Sequence, residues 1–171
     1  NWGVVSRMVQ GLSTAASGGS KCQELSLMQL IRNVYLESPH QRFGMGPDDS
    51  ISYGTAYRSA NALAWYFQDE CGLTPESTVV FSFPNLIITP VIMAAVQLCG
   101  ARMAMFSHRL EQEEFERATH LVKPDVFIMS SPDACLQAQQ VAPNAQVFAA
   151  GCPSAPVPLI EDLIQEGGFD E

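Results

Sequence analysis

The sequence predicts an α/β fold in which a mainly parallel β-sheet carries helices on both faces. Helical and strand-like segments alternate several times along the 171-residue chain, as in repeated strand–helix–strand units. One strand-like segment, TVVFSF at residues 78–83, is apolar throughout, which is typical of a parallel strand covered on both sides. A composition of 47% hydrophobic and 16% charged residues favours a packed core over disorder.

The chain is expected to divide into a leader and one folded unit. Residues 1–23 are rich in Gly, Ser and Ala and predict a flexible leader, and residues 24–171 form the predicted α/β subdomain. Ser26 can cap a first helix, which Pro39 follows as a stop signal. The apolar residues on one face of that helix are Leu27, Leu30, Ile31, Val34 and Tyr35.

A small hairpin and a long helix are predicted next. Residues 42–45 and 50–53 read as two short strands around the turn at residues 46–49. The helix at residues 55–71 has one apolar stripe, and Gly72 is its expected C-terminal cap. That stripe consists of Ala56, Ala60, Leu63, Phe67 and Cys71.

The remaining elements form the repeating part of the chain. Pro90 lies in the first turn of the next predicted helix, where a missing N–H costs little. Acidic residues open the helix at residues 111–122, as the helix dipole favours. In chain order after the strand at residues 78–83, we predict a helix at 86–98, a strand at 103–106, the helix at 111–122, a strand at 125–130, a helix at 132–140, a strand at 146–149 and a helix at 159–165.

Charge and cysteine content exclude several classes of partner. The net charge is −9 and no basic cluster occurs, so nucleic acid and anionic membrane surfaces are poor candidates. The longest apolar stretch, residues 86–99, is too short to span a bilayer and contains Pro90. Five irregularly spaced cysteines without a CxxC pair indicate reduced thiols, hence a cytoplasmic protein.

No catalytic, cofactor-binding or metal-ligating residue is predicted from the motifs. In a parallel sheet, ligands usually bind where the strands end. The turns after Phe83, Phe106 and Ser130 are not glycine-rich, and neither GxGxxG nor GxxxxGK[ST] occurs. The substrate-binding residues are left unassigned.

Several single residues permit both a functional and a structural interpretation. His108, at a strand-to-helix turn, suits a catalytic base, but a capping or surface histidine is commoner there. Ser130 and Ser131 end a strand without a GxSxG motif, which favours helix capping. Cys99 is a candidate nucleophile without an activating neighbour. The other candidates receive structural roles: His40 and His120 as loop and helix residues, and Met93, Met103, Met105 and Met129 as core packing.

Five segments in order resemble the opening part of the adenylate-forming enzymes, which include acyl-CoA synthetases, luciferases and nonribosomal peptide synthetase adenylation domains. The segments are ISYGTA with the helix RSANALAWYF, then GLTPESTV, the Pro84-Asn85 pair, the stretch from Gln97 to Leu110, and RLEQEEFERATHLVKPDVFIMS. The resemblance spans Leu27 to Leu163. Departures from the family pattern fall at Leu98 and, around the turn before Arg109, at Met105, Ser107 and His108.

The resemblance implies the N-terminal portion of a carboxylate-activating ligase. Such an enzyme uses ATP and Mg²⁺ to make an acyl-adenylate and passes the acyl group to CoA or a carrier-protein thiol. The family's phosphate loop, adenine and magnesium sites and catalytic lysine do not occur in this sequence. We therefore expect the chain alone to lack the ATP site, with the remainder of the adenylation domain as its partner.

Two other interpretations stay open. The chain could be a stand-alone, non-catalytic adenylation-like module that docks with a synthetase or polyketide partner, which its low charged fraction favours. It could also be an unrelated small α/β enzyme that uses Cys99 or His108. In each case a truncated sheet edge is expected to invite self-association.

Overall fold

The computed structural model describes residues 27–46 and 50–166. The predicted leader, the Ser26 cap, the turn residues 47–49 and the tail at 167–171 lie outside these residues. The described elements are α1 (Leu27–Glu37), β1 (Arg42–Met45), β2 (Ser50–Ser52), α2 (Tyr53–Asp69), β3 (Thr78–Ser82), α3 (Thr89–Leu98), β4 (Arg102–Met105), α4 (Gln112–Val122), β5 (Val126–Met129), α5 (Pro132–Val141), β6 (Gln146–Ala149) and α6 (Ile160–Glu166).

Strands β3 to β6 form one parallel sheet in the order β4-β3-β5-β6. Val80 of β3 pairs with Ala104 of β4 on one side and Phe127 of β5 on the other. Strands β1 and β2 form a separate antiparallel pair, as the hairpin prediction requires. The predicted α/β fold with a mainly parallel sheet is thus confirmed.

Helices cover both faces of this sheet because successive residues of each buried strand point to opposite sides. Val79, Phe81 and Ile128 face one core cluster, to which α2, α3 and α6 contribute. Val80 and Phe127 face the other cluster, which α4 and α5 cover. The continuous apolar character of β3 and β5 therefore reflects two cores rather than one.

A third, smaller cluster attaches α1 to the outside of α2 and α3. Ile31 of α1 is buried there against Tyr53, Ala60 and neighbouring residues of α2 and α3. The rings of Tyr35 and Tyr57 stack with their centroids 4.7 Å apart. Helix α1 is amphipathic and packs on the α2–α3 layer, not on the sheet.

Local chemistry sets most helix boundaries. The Ser52 hydroxyl accepts a hydrogen bond from the Thr55 N–H at 3.1 Å, so α2 begins at Tyr53 and not at residue 55. The predicted cap at Gly72 is wrong, because α2 ends at Asp69 and its C-cap is Glu70. Gly72 lies two residues further on, with a φ of 66°. Before α3, the Thr89 hydroxyl accepts from the Leu86 N–H at 3.1 Å, which forms a turn where the sequence predicted helix. Pro90 does lie in the first turn of α3.

Met105 is the clearest error among the core predictions. It is 66% exposed, because β4 is an end strand of the sheet and Met105 is its last residue. Met129 is buried, and Met93 and Met103 pack against the first cluster as predicted. Strand β4 also begins and ends one residue earlier than predicted.

No helix within the described ranges has the length and apolar character that a membrane crossing requires.

Candidate functional site

The four parallel strands end at one edge of the sheet, which is where ligands bind in open α/β folds. The following helices α3 and α5 pack on opposite faces, although β3 and β5 are neighbours. The order in which successive strands join the sheet therefore reverses between β3 and β5. The loops after β3 and β5 are therefore the first places to look for function.

Ser131, which follows β5, has a structural role. The Ser131 hydroxyl accepts a hydrogen bond from the Ala134 N–H at 3.2 Å and caps α5. The predicted capping role is confirmed. A serine hydroxyl bound in this way, without an adjacent histidine, is not an activated nucleophile.

The three histidines lie on separate parts of the surface. His108 is exposed in a turn that closes where the Leu110 N–H donates to the Ser107 carbonyl at 3.2 Å. The turn therefore forms despite the departures from the family pattern. His40 precedes β1 and His120 lies in the last turn of α4, and both are exposed. Within residues 27–46 and 50–166, no group of three or more His, Cys, Asp or Glu could hold a metal ion.

The buried cysteines are poorly suited to nucleophilic chemistry. Burial raises the pKa of the Cys99 thiol to about 11, and its Sγ donates to the Ala64 carbonyl at 3.5 Å. Burial raises the pKa of Cys135 to about 11 as well, with a smaller contribution from Cys152. Burial, then Cys99 and Glu70, raise the pKa of Cys71 to about 12. Because the thiolate is the reactive form, none of these three groups is activated at neutral pH.

One apolar cavity opens at the carboxyl edge, on the face that α2 and α3 cover. Its volume is about 340 Å³, and four separate segments form it: strand β2, the start of α2, the β3–α3 loop with the start of α3, and α6. Its lining residues are Ser50, Ile51, Thr55, Ser59, Ile87, Ile88, Val91, Glu161 and Ile164. We call it the hairpin cavity.

Among the residues that the structure describes, Glu161 is the only charged one that lines the hairpin cavity. Its Oε1 accepts a hydrogen bond from the Gly151 N–H at 2.8 Å. Its Oε2 is shielded from water and has no hydrogen-bond partner among the residues that the structure describes. Glu161 was not predicted as a site residue, because nothing in the local sequence distinguishes it from the other acidic residues near a helix start.

Two further cavities open along α4, and polar side chains dominate both. One is lined by four glutamates, Gln112 and Arg117, and the other by residues of the α4 start and of α5. Both are open surface features. They resemble solvated helix faces more than binding sites.

The comparison with known proteins agrees with this fold. A profile described as "AMP-binding enzyme" matches residues 33–166. No curated protein matches the chain. Many solved structures do match it, each at low sequence identity.

Three of these structures illustrate the similarity. A protein described as a long-chain-fatty-acid CoA ligase from Rhodopseudomonas palustris CGA009 has a TM-score of 0.71 and 20% identity, over 84% of this chain and 37% of its own. A benzoate CoA ligase from Burkholderia xenovorans LB400 has a TM-score of 0.70 and 14% identity, over 83% of this chain and 28% of its own. The luciferase-like enzyme from the Zophobas morio mealworm has a TM-score of 0.70 and 14% identity, over 82% of this chain and 34% of its own.

At these identities the structures show a shared fold, and the chain spans between 28% and 37% of their lengths. The family profile adds a match over most of the chain, in the region that includes every element from the end of α1 to α6. On that match, the chain belongs to the AMP-binding enzyme family.

Proposed function

We propose that the chain is the N-terminal part of an ATP- and Mg²⁺-dependent ligase that activates a carboxylic acid as its acyl-adenylate. The acyl group would then pass to the thiol of CoA or of a carrier protein. The single observation that carries the proposal is the family match over residues 33–166. The CoA ligases among the structures of the same fold support it.

We infer that the ATP and Mg²⁺ sites lie outside the described residues. The turns after β3, β4 and β5 contain no glycine that would let a backbone approach a phosphate. The described part of the chain has no suitable group of carboxylates for a divalent ion. In the proposed enzyme, the remainder of the adenylation domain supplies these contacts, and residues 24–171 supply scaffold.

The proposal is tested by ATP–pyrophosphate exchange with pooled carboxylic acids. The purified 171-residue chain is expected to show no exchange, and the natural polypeptide that contains it is expected to show acid-dependent exchange. Exchange by the pure chain would contradict the assignment of the ATP site to the remainder. An intact natural protein without exchange on any acid would contradict the ligase proposal.

The alternative function is a non-catalytic adenylation-like module that docks with a synthetase or polyketide partner. It is favoured by large exposed apolar side chains on several elements, such as Leu36, Met45 and Trp65. The mass of the endogenous protein separates the two proposals. A mass several-fold above 18.6 kDa favours the ligase, and a mass near 18.6 kDa favours the module.

Cytoplasmic location belongs to the same proposal. Its support is that Cys71, Cys99, Cys135 and Cys152 are all free thiols.

A further inference from the structure

We propose that the hairpin cavity binds a small ligand with an apolar body and a primary ammonium group, which pairs with Glu161. Its volume of about 340 Å³ lies at the lower end of the roughly 300–1,000 Å³ that is typical of ligand pockets. A ligand of this size would be a short alkylammonium rather than a nucleotide.

The cavity walls account for the apolar body. Five of the nine lining residues are Ile or Val, and they come from β2, the β3–α3 loop, α3 and α6. Val91 is fully buried, and Ile87 packs against the hairpin at Gly44. Aliphatic walls of this kind favour a hydrocarbon ligand, because binding removes apolar surface from water.

Glu161 accounts for the charged end. One carboxylate oxygen is held by the Gly151 N–H, and the other is enclosed without a donor among the described residues. A buried acceptor without a donor costs free energy that a bound hydrogen-bond donor would recover. None of the described residues that line the cavity is Lys, Arg or His, so no described side chain supplies a cation to Glu161 there.

An ammonium group would reach Oε2 only after the carboxylate turns, because Oε2 is shielded in the unliganded structure. The last torsion of a glutamate side chain has a broad minimum, so we expect this turn to cost little beyond the weakening of the Gly151 hydrogen bond. The Thr55 and Ser59 side chains also line the cavity and offer hydroxyl acceptors for further ammonium hydrogens. A charge-assisted hydrogen bond is about twice as strong as a neutral one, which favours an amine over an alcohol.

The test uses n-hexylammonium as the probe and n-hexanol as its uncharged counterpart. Binding to the 171-residue chain is measured by calorimetry and by the shift of the Gly151 amide resonance, which reports on Glu161 directly. Because ATP is absent, the result is independent of the ligase activity. Saturable binding of the amine with a shift at Gly151 is expected, with the alcohol about tenfold weaker or more.

Three variants locate the site. Glu161→Gln keeps an acceptor for Gly151 and is expected to reduce the amine's affinity to that of the alcohol. Thr55→Phe places a ring at the cavity from an exposed position and is expected to abolish binding of both probes. Glu113→Gln, an exposed glutamate on α4, makes the same charge change away from the cavity and should leave binding unchanged.

Each remaining outcome overturns the proposal. The proposal is wrong if neither probe saturates, or if hexanol binds as tightly as the amine. It is equally wrong if Glu161→Gln and Glu113→Gln weaken binding alike. Should Glu161→Gln fail to fold, the amine–alcohol comparison on the natural sequence decides alone. If the cavity is instead a surface that a second copy or another polypeptide covers, neither probe is expected to saturate.

Discussion

Asp125 joins the starts of two neighbouring parallel strands. Its Oδ2 accepts the Thr78 N–H at 2.8 Å, and its own N–H donates to the Thr78 carbonyl at 2.9 Å. Asp125→Ala leaves the buried Thr78 amide without its side-chain acceptor, so we expect the free energy of unfolding to fall by about 1–2 kcal/mol. Urea denaturation measures this. Asp125→Asn keeps an acceptor oxygen and is expected to recover most of the loss, and equal losses in both variants would refute the role of the bond.

Two glycines allow the cost of backbone strain to be distinguished from the cost of a steric contact when each is replaced. Gly72 and Gly151 have nearly equal positive φ values, 66° and 68°. A Cβ at Gly72 meets nothing within 4 Å, but at Gly151 it lies 3.1 Å from both Leu86 methyl carbons. We expect Gly72→Ala to cost about 1 kcal/mol of unfolding free energy from strain alone. Gly151→Ala should lower the free energy of unfolding by more than Gly72→Ala does, as measured by denaturation. Equal losses would mean that Leu86 moves aside freely.

Residues whose role depends on their near neighbours in sequence were predictable. The cap role of Ser131, for example, follows from chemistry within a few residues. Met105 and Glu161 were not predictable in this way. The exposure of Met105 depends on where β4 lies in the sheet, and the unpartnered oxygen of Glu161 depends on what surrounds it in space.

The order of helices and strands was predicted correctly, and the boundaries that moved have local causes. The start of α2 moved because Ser52 caps it, and the start of α3 moved because the Leu86–Thr89 turn replaces its first residues. The order of strands in the sheet did not follow from periodicity, because β3, β4 and β5 are all short apolar runs. Their order is seen only in the strand pairing of the folded structure.

Strand β4 is an end strand, and it tests the predicted self-association. On the described residues its only ladder partner is β3, whereas β6 also has a bridge to Leu159. Met105→Lys places a charge at the exposed end of β4 and should reduce self-association. Sedimentation velocity at increasing concentration measures this. Leu121→Lys makes the same charge change on the exposed side of α4 and should have no effect, and equal effects of both would point to net charge instead.

The hairpin cavity is a feature that could not be predicted from the sequence alone. Its lining comes from residues 50–59, 87–91 and 161–164, segments that no periodicity or motif connects. The sequence directed attention to the ends of the strands, and the cavity does lie at that edge. It lies on the α2–α3 face, however, because β2 and α6 fold over the helix starts there.

The free energy of unfolding at alkaline pH depends on one buried thiol in each of the two cores. Cys99 belongs to the first cluster and Cys135 to the second, and burial raises the pKa of each thiol from about 9 to about 11. The folded state therefore keeps these protons longer than the unfolded state does. Each thiol contributes its full stability below pH 9 and loses it as the pH rises toward 11.

We therefore expect the free energy of unfolding to be flat near pH 8 and to fall between pH 9 and pH 11, by on the order of 2 kcal/mol for each thiol. Cys99→Ala and Cys135→Ala should each reduce that fall, although both cost stability at pH 8 because they remove buried atoms. Guanidinium denaturation at closely spaced pH values measures the slopes, and the pH 8 values serve as the internal reference. If neither variant changes the slope, other groups govern alkaline unfolding and the two thiols lose their protons at ordinary pH. If only Cys135→Ala changes the slope, only the Cys135 thiol keeps its proton through burial. The α2–α3 layer over Cys99 would then open to hydroxide before the α4–α5 layer over Cys135 does.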